Sequence, residues 1–244
     1  MLIEQMEING IRCISANTDG IVCLMDEEKQ EKYKEICNWW ENKVGNNELG
    51  KLEYTKYQKI IQTSVNDYLA IKPDGSTKKK GDFGTDFELN KNKSRRVVPL
   101  ALEAYYTKGI EPIDFLMNHN NIYDFCIGVK SSKNYHYELI DPVTSEKTIL
   151  NKMVRYIVTT NGKTLVKVKN EGVIADGNDI MHCEAPDKND DKRWKCSVVN
   201  TINETKDVKS YSIDYEYYLR KVNRIINQVG KRKTKVNPGQ ISMF

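Results

Sequence analysis

Residues 12–25 read Arg12-Cys13-Ile14-Ser15-Ala16-Asn17-Thr18-Asp19-Gly20-Ile21-Val22-Cys23-Leu24-Met25. Two short apolar runs, rich in β-branched residues and cysteine, flank a polar Asn-Thr-Asp-Gly turn. Asp-Gly tolerates positive φ, so the stretch predicts a tight β-hairpin between two short strands. The Asp19 carboxylate then stands at the hairpin tip, aimed by two paired strands rather than by a loose loop. A carboxylate held in that way suits a catalytic metal ligand.

Working outward from the hairpin, Leu2, Ile3 and Met6 fall on one side of a short helix that Gly10 ends in the left-handed conformation. From Asp26, an N-cap, to Gly45, residues Tyr33, Ile36, Cys37, Trp40 and Val44 recur at helical spacing and predict an amphipathic helix of about five turns. Leu52-Glu53-Tyr54, Ile60-Ile61-Gln62 and Tyr68-Leu69-Ala70-Ile71 read as strands, with Pro73-Asp74-Gly75-Ser76 as a hairpin turn. Pro99 fits the first turn of a helix carrying Val98, Ala101, Leu102 and Tyr105 and stopped by Gly109. Pro112 opens another through Ile113, Leu116 and Met117. Residues 154–160 and 163–169 around Asn161-Gly162 read as a further hairpin, its second arm basic and alternating with Lys163 and Lys167, and Arg155 on its first arm. Residues 184–191 are polar enough for an exposed loop. A last helix from about Ser212 to Val229 places Tyr218, Val222, Ile225, Ile226 and Val229 on one face. The fold class expected is α+β.

A chain of 244 residues that is 39% hydrophobic and 30% charged has the balance of a globular protein with one large core or two modest ones. No run of about 18 apolar residues is present, so no membrane span is expected. Met1–Glu7 is acidic and interrupted, unlike a secretory signal, and a cytoplasmic location is expected. The six cysteines form no Cys-x-x-Cys pair, and several lie in apolar runs where a reduced thiol packs as a small hydrophobe. His182, Cys183 and Cys196 lack the spacing of a zinc site, and His119 and His136 stand apart from them. The net charge is only +4, but Lys and Arg gather at 78–80, 91–96, 163–169 and 231–235. Such clusters either neutralise phosphates or form solvated faces.

Ile14-Ser15-Ala16-Asn17-Thr18-Asp19-Gly20-Ile21 resembles the "DTDS" palm hairpin of family B DNA polymerases, in the style of phage-encoded members. The order of the downstream segments extends the resemblance over almost the whole chain: Gln62–Ile71 with Lys78-Lys79-Lys80-Gly81, then Val98–Gly109 and Ile122–Cys126. It implies the C-terminal part of a palm at residues 1–95, a thumb at 96–229, and a flexible basic tail at 230–244. Asp19 would be the catalytic carboxylate, holding Mg²⁺ in a two-metal site. Asn17, in place of the first Asp of the pattern, would offer only a neutral amide oxygen. Tyr68 resembles the tyrosine that touches the primer-template minor groove, although Val65-Asn66-Asp67 stands where relatives carry basic residues. Lys78, Lys79 and Lys80 would supply phosphate contacts instead.

The last residues, Gln240-Ile241-Ser242-Met243-Phe244, resemble the Gln-Leu-Ser-Leu-Phe peptide that docks on sliding clamps. Gln240 would supply hydrogen bonds, and Ile241, Met243 and Phe244 the apolar contacts. In the resembled family the second acidic motif and the triphosphate-binding lysine lie N-terminal to the hairpin, and only 16 residues precede Asn17. The expectation is therefore a chain inactive alone, completed by an N-terminal polymerase polypeptide carrying the other palm motifs and the fingers. The alternative is a non-catalytic DNA-binding or clamp-associated accessory protein derived from such a polymerase. A small metal-dependent nuclease fits less well, because no nearby carboxylate and histidine set accompanies Asp19.

Overall fold

Apolar residues at helical spacing on two short helices give the first hairpin its floor. The computed structural model describes residues 1–18, 20–44, 51–86, 94–170, 180–182, 196–198 and 207–233, the backbone alone at 180–182, 196–198 and 231–233. It is a mixed α+β chain that divides into two compact units between Gly81 and Asp82.

In the first unit, α1 spans Leu2–Ile8, and Gly10 follows it at a φ of 71° with its carbonyl accepting from Lys29 Nζ at 2.6 Å. Strands β1 (Arg12–Asn17) and β2 (Gly20–Leu24) pair antiparallel, and a 3-10 turn over Glu27–Lys29 leads into α2 (Gln30–Val44). Met6, Ile11, Ile36 and Cys37 bury one another, and Cys13, Ile21, Cys23 and Tyr33 pack on them. Burying an aliphatic side chain of this size contributes about 1.5–3 kcal/mol, so the helices hold the hairpin by hydrophobic contact.

The strand expected at Leu52-Glu53-Tyr54 does not form. Instead the Leu52 N–H donates to Glu41 Oε1 at 2.7 Å and the Tyr54 hydroxyl donates to the same oxygen at 3.4 Å, which ties this segment to α2 rather than to a ladder. Strands β3 (Lys59–Ser64), β4 (Asp67–Ile71) and β5 (Thr77–Lys80) then form an antiparallel meander. The β4–β5 turn is built as its sequence predicts: Asp74 Oδ1 accepts from the Ser76 N–H and hydroxyl, and Gly75 takes a φ of 81°.

The second unit opens on α3 (Val97–Lys108), ended by Gly109 in the left-handed conformation, with α4 (Pro112–Asn118) and α5 (Ile122–Phe125) behind it. Strands β6 (Ile127–Lys130), β7 (Tyr135–Ile140) and β8 (Lys147–Leu150) precede β9 (Met153–Lys169). The hairpin expected around Asn161-Gly162 is one continuous strand instead. Its first half pairs with β6 and with β11 (Cys196–Val198), its second half with β7 and with β10 (Ile180–His182). Neighbours on both sides of both halves hold the backbone extended, and Gly162 only bends it, at a φ of 140°.

Helix α6 (Tyr215–Lys233) packs against α3 and α4 through a stripe that includes buried Tyr218, Val222 and Ile225. The hydroxyl of fully buried Tyr218 donates to the Phe125 carbonyl at 2.7 Å and accepts from the Val158 N–H at 3.1 Å. One side chain thereby joins α6, α5 and β9. No helix among the described residues is long and apolar enough to cross a membrane.

Buried Asp124 is the electrostatic counterpart of that joint. Its Oδ1 accepts from Arg96 Nη1 at 2.9 Å and its Oδ2 from His119 Nε2 at 2.7 Å, while Arg96 Nε donates to the Thr85 carbonyl at 2.8 Å. Burial alone would raise the Asp124 carboxyl, but the hydrogen bonds and positive charge of His119 and Arg96 outweigh it and hold it below the ordinary value. A depressed folded-state value contributes stability in full above the unfolded carboxyl value of about 4, and that contribution disappears as pH falls through the lower folded value. Asp124→Asn should therefore weaken amide-exchange protection of α3 and α5 at pH 7 by about 2–3 kcal/mol, a gap that narrows on acidification below pH about 4. A gap that stays constant with pH would contradict the pairing.

Candidate functional site

The hairpin and the meander of the first unit carry the residues singled out in the sequence. In the β1–β2 ladder Ala16 pairs with Ile21 and Asn17 with Gly20, so the strands close on a two-residue connection, Thr18 and position 19. Asn17, Thr18 and Gly20 are all exposed. Asp19 itself lies outside the described residues. Among the described residues no group of three or more His, Cys, Asp or Glu could hold a metal ion, and the side-chain oxygens at the hairpin's described end are those of Asn17 and Thr18. A neutral amide oxygen is a weak Mg²⁺ ligand on its own, and a Mg²⁺ site here needs carboxylates beyond it.

The side of the hairpin and α2 border a cleft of about 690 Å³, lined by Ile14, Val22, Leu24, Tyr33, Tyr54 and Ile60 among others. No Asp or Glu appears among its described lining residues. A cleft with no acid among its described lining residues and with Lys34, Lys56 and Lys59 on its wall does not suit a divalent cation, which separates it from the hairpin tip.

The register of the meander sorts the candidate DNA-binding residues. Tyr68 lies opposite Gln62 on one side and Lys80 on the other, and Ala70 lies opposite Ile60 and Lys78. Residues directly opposite one another share a face, so Tyr68, Lys78 and Lys80 stand together. Lys79 pairs with fully buried Leu69 and belongs to the other face, with buried Ile61. The three lysines therefore divide two to one. Tyr68 is half-buried and Lys78 and Lys80 are exposed, while Ala70 on the same face is fully buried, so the accessible part of that face is its lysines and the Tyr68 side chain. Two positions along a strand are about 6.6 Å apart. That is close to twice the 3.4 Å rise per phosphate along one strand of a duplex.

Val65 and Asn66 form the turn from β3 to β4, and Asp67 is structural there: the Ser64 hydroxyl donates to its carboxylate and the Thr63 hydroxyl to its carbonyl at 3.4 Å. Gly81, quoted above only as the end of the Lys78-Lys79-Lys80-Gly81 segment and given no structural role there, closes this corner. It has a φ of 61°, and a Cβ there would overlap the Asp67 carboxylate and lie 2.6 Å from the Asn66 carbonyl oxygen. The only sequence signal for it is a glycine directly after the Lys78-Lys79-Lys80 strand.

In the second unit the basic residues expected around a hairpin lie along the single strand β9. Arg155 is exposed on the half of β9 next to β6, Lys163 Nζ lies 3.8 Å from Asp141 Oδ2, and Lys167 Nζ sits 4.5 Å over the Tyr135 ring. Helix α6 continues through Lys233, so Lys231, Arg232 and Lys233 of the basic run are helical rather than part of a tether. Gln240, Ile241, Met243 and Phe244 lie outside the described residues.

No known family model matches this sequence, and no curated protein matches it.

The corner at Gly81 yields a direct test of the register on which the Tyr68 face depends. Gly81→Ala combines a steric overlap with an unfavourable φ and should destabilise β4 and β5 by about 1–3 kcal/mol, read as faster amide exchange over residues 67–80. Unchanged exchange would mean that the corner does not fix β5.

Proposed function

We propose that this chain is the end of the palm and the thumb of a family B DNA polymerase, binding primer-template duplex and contributing Asp19 to a two-metal nucleotidyl-transfer centre. The observation that carries the reading is the pairing of Asn17 with Gly20. It closes a tight, exposed hairpin at the sequence that resembles the family's metal-binding turn. The meander downstream in the same unit supports the reading with an aromatic and two cations on one face.

In this reading Asp19 and Asn17 would hold Mg²⁺ together with acids from an N-terminal polymerase polypeptide. When bound, paired Mg²⁺ ions would supply Lewis-acid activation of the primer hydroxyl and charge stabilisation of the leaving pyrophosphate. This chain's own work is to place one carboxylate on a rigid turn, and to hold the duplex by its shape. Lys78 and Lys80 pair with phosphates, and Tyr68 lies against the groove without reading base identity. The peptide Gln240-Ile241-Ser242-Met243-Phe244 would engage a sliding clamp, its apolar side chains filling a pocket while Gln240 orients it.

The test is to mix the chain with the product of an adjacent open reading frame encoding the missing palm and fingers, and to measure primer extension. Extension should require both, and Asp19→Ala should lower it by about 100-fold or more, the scale on which loss of one transition-state charge contact acts. Full activity in the Asp19→Ala mixture would defeat the metal role and favour the accessory-protein alternative. Removing residues 240–244 should shorten products only when a clamp is present.

The lysines are tested separately by duplex binding against salt. Lys78→Ala with Lys80→Ala should make the log–log salt dependence shallower by about 1.8, two phosphate contacts' worth, whereas Lys79→Ala should leave the slope unchanged. Equal effects from all three would contradict the division by face.

A further inference from the structure

The hairpin holds a second feature that the polymerase reading does not use. Cys13 lies directly opposite Cys23 in the β1–β2 ladder, and their Sγ atoms are 3.5 Å apart. Both thiols are free and half-buried. Directly opposite residues of an antiparallel pair have Cα atoms about 4.5–5.5 Å apart, within the range of about 4.4–6.8 Å that a disulfide spans. The sulfurs must approach by about 1.5 Å more to reach bonding distance, a movement that side-chain torsions supply without a change of register. The β-bulge between Cys13 and Ser15 adds local freedom on the β1 side.

We propose that Cys13 and Cys23 are an oxidisable dithiol, a modification site at which a low-molecular-weight disulfide such as glutathione disulfide converts the pair to an intramolecular disulfide. The thiolate of one cysteine attacks glutathione disulfide, forms a protein–glutathione mixed disulfide and expels one glutathione thiolate. The second cysteine, losing its proton, attacks the protein sulfur of that mixed disulfide and expels the other glutathione. Two protein thiols lose two electrons and two protons, and one glutathione disulfide becomes two molecules of glutathione. Burial, with Cys13 beside it, pushes the Cys23 thiol well above its ordinary value. Whichever cysteine attacks first, the second step is intramolecular, and proximity there replaces thiolate concentration. The product ties the strands to each other on the side of the hairpin that packs on Met6, Ile11, Ile36 and Cys37, and leaves the turn at residues 17–20 open.

Cys37 is the competing partner, because its thiol lies in the same cluster. Its own thiol is raised by burial. It sits on α2, however, whereas the β1–β2 ladder sets Cys13 and Cys23 directly against each other.

The inference is tested on the full chain in glutathione buffers running from reducing to oxidising, quenched with an alkylating reagent and digested with trypsin. No Lys or Arg falls between Cys13 and Lys29, so both cysteines remain in one peptide. The expected result is that this peptide, alkylated twice in reducing buffer, becomes unalkylated and lighter by two hydrogen atoms in oxidising buffer. The glutathione ratio at half-oxidation should shift at least tenfold toward reducing conditions relative to the chain in urea. Cys37→Ser should leave that midpoint in place. Cys13→Ser should leave Cys23 alkylated or carrying one glutathione. Amide exchange in β1 and β2 should slow on oxidation of the native chain and not of Cys13→Ser. A peptide that stays doubly alkylated, a crosslink to Cys37, or the same midpoint in urea as in the native chain would each overturn the assignment.

Discussion

The register of β1 against β2 is the constraint on which the rest of the first unit depends. Cys13 opposite Cys23 turns sulfur toward the floor made by α1 and α2, and Asn17 opposite Gly20 closes the ladder on an exposed connection. A slip of one residue would exchange the two faces of each strand, sending apolar side chains to solvent and polar ones to the core. A two-stranded sheet is marginal alone in water, and here the helix floor supplies the missing hydrophobic contact. The precision with which a turn can present a ligand thus traces back to Met6, Ile11 and Ile36.

Charge is handled differently in the two units. In the second, Asp124 is buried and answered twice, by Arg96 and His119, while Arg96 also reaches the Thr85 carbonyl. That network costs desolvation and ties the start of α3 to Asp124 of α5 and to the Thr85 carbonyl. In the first unit the cations Lys78 and Lys80 are exposed beside half-buried Tyr68, at little desolvation cost. Exposed cations add little to stability, and in the proposed function Lys78 and Lys80 meet phosphates.

Much of this was legible in the sequence wherever local signals decide structure. The hairpin at 12–24, α1 and α2, the Pro73–Ser76 turn, the stop at Gly109 and the apolar stripe of α6 all follow from turn chemistry and periodicity. Distant partners were not legible. Asn161-Gly162 carries the same turn signal as a true hairpin, yet β6 and β7, far away in sequence, hold both halves of β9 extended. Leu52–Tyr54 alternates like a strand, but one glutamate on α2 captures its backbone. At the candidate site, alternation alone separates Lys79 from Lys78 and Lys80. That Tyr68 joins the pair depends on the register that the Asp74-Gly75 turn imposes. The Asp124 network and the Gly81 corner depend on contacts that no short window of sequence contains.

The central claim is that the turn at residues 17–20 receives a divalent cation beside a nucleic-acid duplex. Titrating Mn²⁺ into the full chain bound to a primer-template duplex, with amide resonances followed by paramagnetic broadening, tests it most directly. Broadening should centre on residues 17–21 and vanish in Asp19→Ala. Broadening centred elsewhere, or one that the substitution leaves intact, would contradict the account.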